Sequence, residues 1–312
     1  MLTTLRLAWR LQRWELLILL GACVVLAALS LVLAWRLEIA SDALFACLRE
    51  GAADAFSACR AESDLANMML GWAMILIPIA SVTPFLVALF LGPPLIAREI
   101  EHRTASVAWS LSPSRRRWLA QRVIPVVLLV AITLLLVGYA SEQLALATSQ
   151  EDALGFPHFA MHGPLLMVRG VAVLVIGIAV GLVGGRTLPA LLLTGGLAVA
   201  LVLGLTVGRD ALVKAEGVPV PMGQQSSLDS VPFDCGYQID ATGEILTCQQ
   251  FYEEYPASMQ TGDVPPGMTM VWWAVPAERY PVFVAREAGV LLLLTLAVGG
   301  LTVWLVSVRR PD

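Results

Sequence analysis

Two histidines have the spacing that metal coordination requires. His158 and His162 are four residues apart, so one turn of a helix would present both imidazole rings to a zinc ion. Pro157, Gly163 and Pro164 disfavour a helix at this position, because proline and glycine interrupt helical structure. We therefore predict a solvated loop here and no metal site in the chain.

Sequence signatures of catalysis and of ATP binding are missing. A phosphate loop ends in Gly-Lys-Ser or Gly-Lys-Thr, whereas the only lysine, Lys214, lies between Val213 and Ala215. The sequence also lacks the Gly-x-Ser-x-Gly, His-Glu-x-x-His and Cys-x-x-Cys motifs of several enzyme classes. We therefore expect no catalytic residue, no cofactor bound by this chain and no enzyme activity of its own.

The elements that position the remaining polar residues are membrane helices. Of the 312 residues, 58% are hydrophobic and 14% are charged, whereas roughly 45 to 50% of an ordinary soluble domain is apolar. Six apolar runs reach the length of about 20 residues that a helix needs to cross a bilayer: 16–35, 68–96, 123–140, 165–184, 188–207 and 282–308. Almost continuous aliphatic sequence in 123–137 excludes the alternation of a β-barrel strand.

Basic residues predict the orientation of these spans, because arginine and lysine are retained on the cytoplasmic side. With the N-terminus inside, segments 1–15, 97–122, 185–187 and 309–312 carry 12 arginines and 4 acidic residues. The opposite side carries 8 basic and 20 acidic residues. We therefore expect a multi-pass protein with both termini in the cytoplasm. The strong preference for arginine over lysine suggests a GC-rich bacterial genome, hence the bacterial cell membrane.

The predicted fold is an all-α polytopic membrane protein divided into four parts. Residues 1–15 form an N-terminal interfacial helix, or else an ordinary cytoplasmic extension of the first span. Residues 16–208 hold transmembrane helices 1–5, and residues 209–281 form a small, acidic, disulfide-bonded extracytoplasmic domain. Residues 282–312 hold transmembrane helix 6 and a cytoplasmic tail.

The fourth span contains one charged residue and a pair of glycines. Arg169 lies four residues inside the outer end of the span, where its side chain either reaches the interface or lines a substrate pathway. Gly177 and Gly181 form a small-xxx-small face, which lets another helix approach closely.

Four of the five cysteines fall on the predicted outer side, where disulfides persist. A turn sequence, 240–243, separates two short runs that suit the strands of a hairpin. With a two-residue loop at the centre of this turn, Cys235 lies opposite Cys248, which favours a cross-strand bridge. By elimination the other bridge joins Cys47 to Cys59. A bulge at the glycine of the turn would shift this register.

The predicted cytoplasmic loop, 97–122, has the most informative sequence. It indicates two short helices, of which the first continues from the second span. The second helix is predicted to begin with Ser112 as its cap and Pro113 in the first helical position, and to run into the third span.

This loop resembles the type-2 permeases of ATP-binding-cassette (ABC) transporters, the ABC-2 or type V exporter-like family. Those permeases commonly show Arg-Glu-x-Glu-x-Gly-Thr, an apolar run, and then Pro-x-Ser-Arg or a close variant. The matching residues are Arg98, Glu99, Glu101 and Thr104 in the first block and Leu111, Pro113 and Arg115 in the second. Arg103 stands where the family has glycine.

The resemblance implies a homodimer or heterodimer of six-span subunits in the lipid bilayer, with two copies of a cytoplasmic ATPase that binds ATP and Mg. Such transporters usually export drugs, lipids, peptides or glycans. The motif residues are then implied to couple the permease to the ATPase: Arg98, Glu99, Glu101, Thr104, Pro113 and Arg115. No nucleic-acid partner is expected.

Two other classes of function compete with transport. The first is a membrane-embedded enzyme, which is disfavoured because no convergent set of ionisable residues lies within the spans. The second is a membrane-anchored sensor or scaffold whose acidic outer domain binds a ligand. A neighbouring gene that encodes a phosphate loop would favour the permease over both.

Overall fold

The computed structural model describes residues 2–49, 59–104, 114–148, 163–221, 230–256, 258, 264–276 and 279–308. The helices are α1 (Leu2–Arg49), α2 (Arg60–Glu101), α3 (Arg115–Thr148), α4 (Gly163–Gly184), α5 (Thr187–Glu216), α6 (Cys248–Glu254) and α7 (Tyr280–Val308). The strands are β1 (Val218–Pro221), β2 (Ser230–Ile239), β3 (Ile245–Thr247) and β4 (Met268–Pro276). Six helices in these ranges, α1 to α5 and α7, are long and apolar enough to cross a membrane, which confirms the six predicted spans.

The chain divides into two compact units. The first unit contains residues 1–153, 160–202 and 288–312, and therefore most of the membrane helices. The second unit contains residues 154–159 and 203–287, which include the four strands and α6.

In the first unit, α2 and α4 pack at very close range. A β-carbon added at Gly177 would lie 2.7 Å from Cδ of Pro93, and one added at Gly181 would lie 2.5 Å from the Pro93 carbonyl oxygen. Only glycine leaves room for the Pro93 ring and its carbonyl group at these two positions, as the small-xxx-small pattern predicts. Large side chains that are almost fully buried belong to the same hydrophobic core as this part of α2: Leu134, Leu166, Leu174, Ile178 and Leu182.

Helices α5 and α7 are packed much less tightly within the chain than α4. Only 17% of the most apolar stretch of α5 and of α7 is buried, against 56% for α4. Leu192 on α5 and Leu296 on α7 are each 72% exposed. These apolar faces suit contact with lipid or with another membrane helix.

Helix α1 is continuous from Leu2 to Arg49, so no break separates the predicted interfacial helix from the first span. The placement of residues 1–15 on the membrane surface therefore stays a prediction. A disulfide joins Cys47 in the last turn of α1 to Cys59, which directly precedes α2, with Cα atoms 5.9 Å apart. This is the bridge that the sequence predicts.

The second unit contains an antiparallel sheet with the strand order β1-β4-β2-β3. The sequence predicts an all-α protein in which the only strands are those of the β2–β3 hairpin. The four-stranded sheet shows that this prediction is wrong for the second unit. Strand β1 reads Val-Pro-Val-Pro, and proline cannot donate a ladder hydrogen bond. It accordingly lies at an edge of the sheet, where it pairs with β4 alone.

The β2–β3 hairpin has the predicted register, with Gly236 opposite Thr247. The Ile239 N–H donates to the Glu244 carbonyl oxygen at 2.8 Å, which closes a loop of the four residues 240–243 instead of two, and the final glycine adopts a φ of 72°. A two-residue loop and a four-residue loop are both centred between residues 241 and 242, so both give the same strand pairing. The predicted bridge between Cys235 and Cys248 is present, with Cα atoms 5.6 Å apart.

Helix α6 begins directly after β3 and packs on the sheet. Thr247 and Gln250 form a capping box, in which each side chain accepts the backbone N–H of the other residue. The fully buried ring of Phe251 stacks on Tyr237 with centroids 3.6 Å apart. Burial, together with the hydrogen bond to the Tyr252 hydroxyl, raises the pKa of Tyr237 to about 12, so this core stays uncharged.

Candidate functional site

The C-terminal end of α2 carries most of the motif residues. The helix continues past the predicted second span to Glu101, as the sequence predicts. The next turn is closed by the hydroxyl of Thr104, which donates to the Glu99 carbonyl oxygen at 3.2 Å. Arg103 between them has a φ of 56°, in the left-handed region that favours glycine. The turn therefore has the backbone conformation that suits the family's glycine, although arginine occupies it.

Arg98 connects α2 to α1. Its Nη1 atom donates to Oε1 of Glu15 at 2.6 Å, and both side chains are 42% exposed. An ion pair with this exposure contributes at most about 1 kcal/mol, because water screens the charges. The contact therefore orients the two helices more than it stabilises them.

Glu99 connects α2 to α3. It forms an ion pair with Arg122, and these side chains are only 13% and 17% exposed respectively. The guanidinium of Arg122 also lies 5.4 Å from the centroid of the Trp118 ring, a cation–π contact. A charge buried to this extent requires its partner, since removing one member of such a pair costs about 3 to 5 kcal/mol.

Glu101 connects α2 to α5. The backbone N–H of Thr187 donates to Glu101 Oε2 at 3.0 Å, and the Thr187 hydroxyl donates to the same oxygen at 2.7 Å. We call the three contacts Arg98–Glu15, Glu99–Arg122 and Glu101–Thr187 the α2 junction. Within four residues of one helix, the α2 junction thus contacts three other membrane helices.

The second motif block is described only from Ser114 onwards, so Leu111 and Pro113 lie outside the described residues. Helix α3 begins at Arg115, and Ser114 caps it by accepting the Arg117 N–H at 3.2 Å. The predicted start at Pro113 with a Ser112 cap is therefore wrong by two residues. The sequence Ser-Pro-Ser offers two serines as caps, and the second serine forms the bond.

The partners in the α2 junction are residues that the motif does not include. Glu15, Arg122 and Thr187 each lie at the end of an apolar run, which is the only signal of them in the sequence. Arg169 lies within α4 and is partly buried. The structure does not test its predicted role in a pathway.

The predicted histidine pair, His158 and His162, lies outside the described residues. Among the residues that the structure does describe, no cluster of three or more histidine, cysteine, aspartate or glutamate side chains could hold a metal ion.

A family model described as ABC-2 membrane transporter related matches residues 17–209, which is more than half of the chain. The chain belongs to this family. No curated protein and no solved structure matches the chain. Family membership and the six apolar helices together make the chain a multi-pass transporter permease. The matched range contains α2, the start of α3 and the start of α5, hence nearly all of the α2 junction.

Proposed function

We propose that this ABC-2 chain is the membrane permease subunit of an exporter that a separate cytoplasmic ATPase drives. ATP and Mg bind to the ATPase, which is present in two copies. A second permease, identical or homologous, completes the transporter. The observation that carries the proposal is the α2 junction, which lies beside the predicted cytoplasmic loop and reaches three helices.

The geometry of the α2 junction suits transmission of movement. The side chains of Arg98, Glu99 and Glu101 are occupied by partners within the chain, so a force on the loop is passed to α1, α3 and α5. A ligand can shift a conformational equilibrium only through contacts that differ between states. Bonds between charged groups at helix ends are suitable contacts, because they are strong and directional.

Docking of the ATPase then falls to side chains that point away from the helix bundle. Arg116 and Arg117 are exposed in the first turn of α3, next to Arg115, which the family motif includes. Several guanidinium groups in one turn suit an acidic surface, because each can form bidentate bonds with a carboxylate. Residues of the loop before this turn, including Pro113, complete the proposed docking element.

The second permease is proposed to contact α5 or α7. Gly196, Gly204 and Gly208 of α5 have no side chain or other backbone within 4 Å of an added β-carbon. Membrane helices associate where small residues let their backbones approach, since apolar side chains alone gain little over lipid. The tightly packed α4, in contrast, has most of its small residues already covered by α2.

The proposal can be tested by co-expressing the chain with a phosphate-loop ATPase, sought first among the genes that neighbour its own. We expect the two proteins to co-purify and the complex to hydrolyse ATP in lipid nanodiscs. Arg115→Ala should weaken the association roughly tenfold or more, which corresponds to losing one charge-assisted hydrogen bond. Arg36→Ala is the matched control. Arg36 is exposed on α1, toward the end of that helix away from Glu15, so this variant should bind the ATPase as the wild type does.

Two results would contradict the proposal. The first is a folded, membrane-inserted chain that binds no phosphate-loop protein, which would favour a sensor or scaffold. The second is an equal effect of Arg115→Ala and Arg36→Ala, which would remove α3 from the docking element.

A further inference from the structure

The first turn of α5 follows a connection that has no side chain able to cap a helix start. Only Gly185 and Arg186 separate α4 from α5. Gly185 has a φ of 61°, and its N–H ends α4 by donating to the Gly181 carbonyl oxygen at 3.1 Å. Arg186 occupies the N-cap position, but a guanidinium has no acceptor for the free N–H groups of a helix start.

The backbone N–H groups of this turn differ in their partners. The first helical hydrogen bond runs from Ala190 N–H to the Arg186 carbonyl oxygen at 3.3 Å. Pro189 has no N–H, so its place in the first turn removes one unsatisfied donor. The N–H of Thr187 is satisfied by Glu101 of α2. A residue 86 positions earlier in the chain therefore supplies the cap.

The cap consists of two hydrogen bonds to one carboxylate oxygen, at 3.0 and 2.7 Å. A negative charge at a helix N-terminus is further favoured by the helix dipole. Ala190 and Thr194 are buried in the first two turns of α5, so the cap acts together with side-chain packing in fixing the start of the helix.

We infer that Glu101 is a positioning residue, which caps α5 in trans and makes the start of that helix follow the end of α2. The inference rests on the proposed function, in which the loop after α2 is moved by an ATPase. By this inference, α5 is one of the helices that the movement of the loop displaces. Because α5 is continuous over 30 residues, or about 45 Å at 1.5 Å per residue, a shift of its first turn would be carried along its length.

Hydrogen exchange of the purified full-length chain tests the contact directly. Glu101→Ala should speed exchange of the amides in residues 187–190 by about fivefold, the factor expected for loss of a typical helix cap. Glu101→Gln keeps an acceptor oxygen and should restore most of the protection. Thr187→Val removes only the hydroxyl bond and should speed exchange less than Glu101→Ala does. In a chain that already carries Glu101→Ala, Thr187→Val should add little further change.

Asp64→Ala is the matched control, since it deletes an exposed acid from the opposite end of α2. It should leave exchange in residues 187–190 unchanged. In the complex with the ATPase, Glu101→Ala should lower ATP hydrolysis by about the same factor as the exchange change while co-purification stays at the wild-type level. Glu101→Gln should recover hydrolysis.

Unchanged exchange in Glu101→Ala would overturn the inference, because the cap would then contribute nothing. Loss of ATPase co-purification in Glu101→Ala would also overturn it, since Glu101 would then be a docking residue. Failure of the wild-type chain to bind any ATPase would contradict the proposed function instead. The exchange result would still decide whether Glu101 caps α5.

Discussion

At the scale of single residues, Arg103 combines a charged side chain with a backbone conformation that favours glycine. At a φ of 56°, the β-carbon comes close to the following carbonyl group. The motif of type-2 permeases has glycine at this position, so the turn after α2 keeps the family's geometry with a less suitable residue. Hydrogen bonds around Arg103 maintain this strained conformation, including the one that the Thr104 hydroxyl donates to the Glu99 carbonyl oxygen.

Replacement of Arg103 by glycine should therefore stabilise the chain relative to replacement by alanine. Both changes delete the arginine side chain, and only glycine relieves the left-handed conformation. We expect Arg103→Gly to be more stable than Arg103→Ala by about 1 kcal/mol. The measurement is the midpoint of thermal unfolding in detergent.

Arg116 supplies a control of opposite sign. It is exposed and helical in the first turn of α3, where glycine is less favourable than alanine by up to about 1 kcal/mol. Arg116→Gly should therefore be less stable than Arg116→Ala. The same order of stability at both positions would contradict the assignment of strain to Arg103.

The sequence predicts which residues of α2 matter, but not what they bind. Arg98, Glu99 and Glu101 are identified through their spacing in a motif. Their partners lie on three other helices, and the Arg98–Glu15 contact alone spans 83 residues of sequence. Such pairings depend on which faces of the helices meet, which apolar runs do not specify when nearly every position is apolar.

At the scale of elements, the contact between α2 and α4 depends on a proline opposite two glycines. Pro93 packs its ring against Gly177 and its carbonyl oxygen against Gly181. A proline within a helix leaves a carbonyl without its usual partner and kinks the helix. The close fit of α4 therefore supports α2 where its own hydrogen bonding is weakest.

We expect Gly181→Ala to destabilise the protein by about 1 to 3 kcal/mol, the usual cost of overpacking a core. The added methyl would lie 2.5 Å from a backbone oxygen, which cannot move as a side chain can. Gly71→Ala on α2 is the control, since nothing lies within 4 Å of its added methyl. Equal thermal stability of the two variants would show that α2 and α4 do not meet at Gly181.

Prediction from sequence was uneven among the elements for physical reasons. Long apolar helices are identified by their length alone. The sheet of the second unit is not, because β4 pairs with strands that are distant from it in the sequence. Strand β4 contains Val-Trp-Trp-Ala-Val without alternation of apolar and polar residues, and both of its edges pair with other strands. The sequence does predict the β2–β3 hairpin, because a recognisable turn sequence, 240–243, joins its two strands directly.

At the scale of the whole molecule, the charge distribution predicts which ends of the helices face the cytoplasm. Four cysteines are disulfide-bonded and Cys23 is buried, so the native chain offers an unreactive background among its described residues. Thr242→Cys, in the exposed hairpin loop, should be labelled on intact cells by a membrane-impermeant thiol reagent. Ser114→Cys should react only after the cells are permeabilised.

The parent chain without an added cysteine is the control and should not be labelled. Labelling of Ser114→Cys on intact cells would reverse the predicted topology. The α2 junction would then face away from any cytoplasmic ATPase.

Two bonds that join α1 to α2 in addition to their packing differ in kind. At one end a covalent bond between Cys47 and Cys59 fixes the helices permanently. At the other end, nearly the whole length of α2 away, an exposed ion pair between Arg98 and Glu15 can open and close. Over an arm of about 60 Å, a rotation of about 5° at the covalent pivot separates the far ends by about 5 Å. In the proposed function, a small angular change at the fixed end is therefore enough, and the travel is greatest beside the loop on which the ATPase acts.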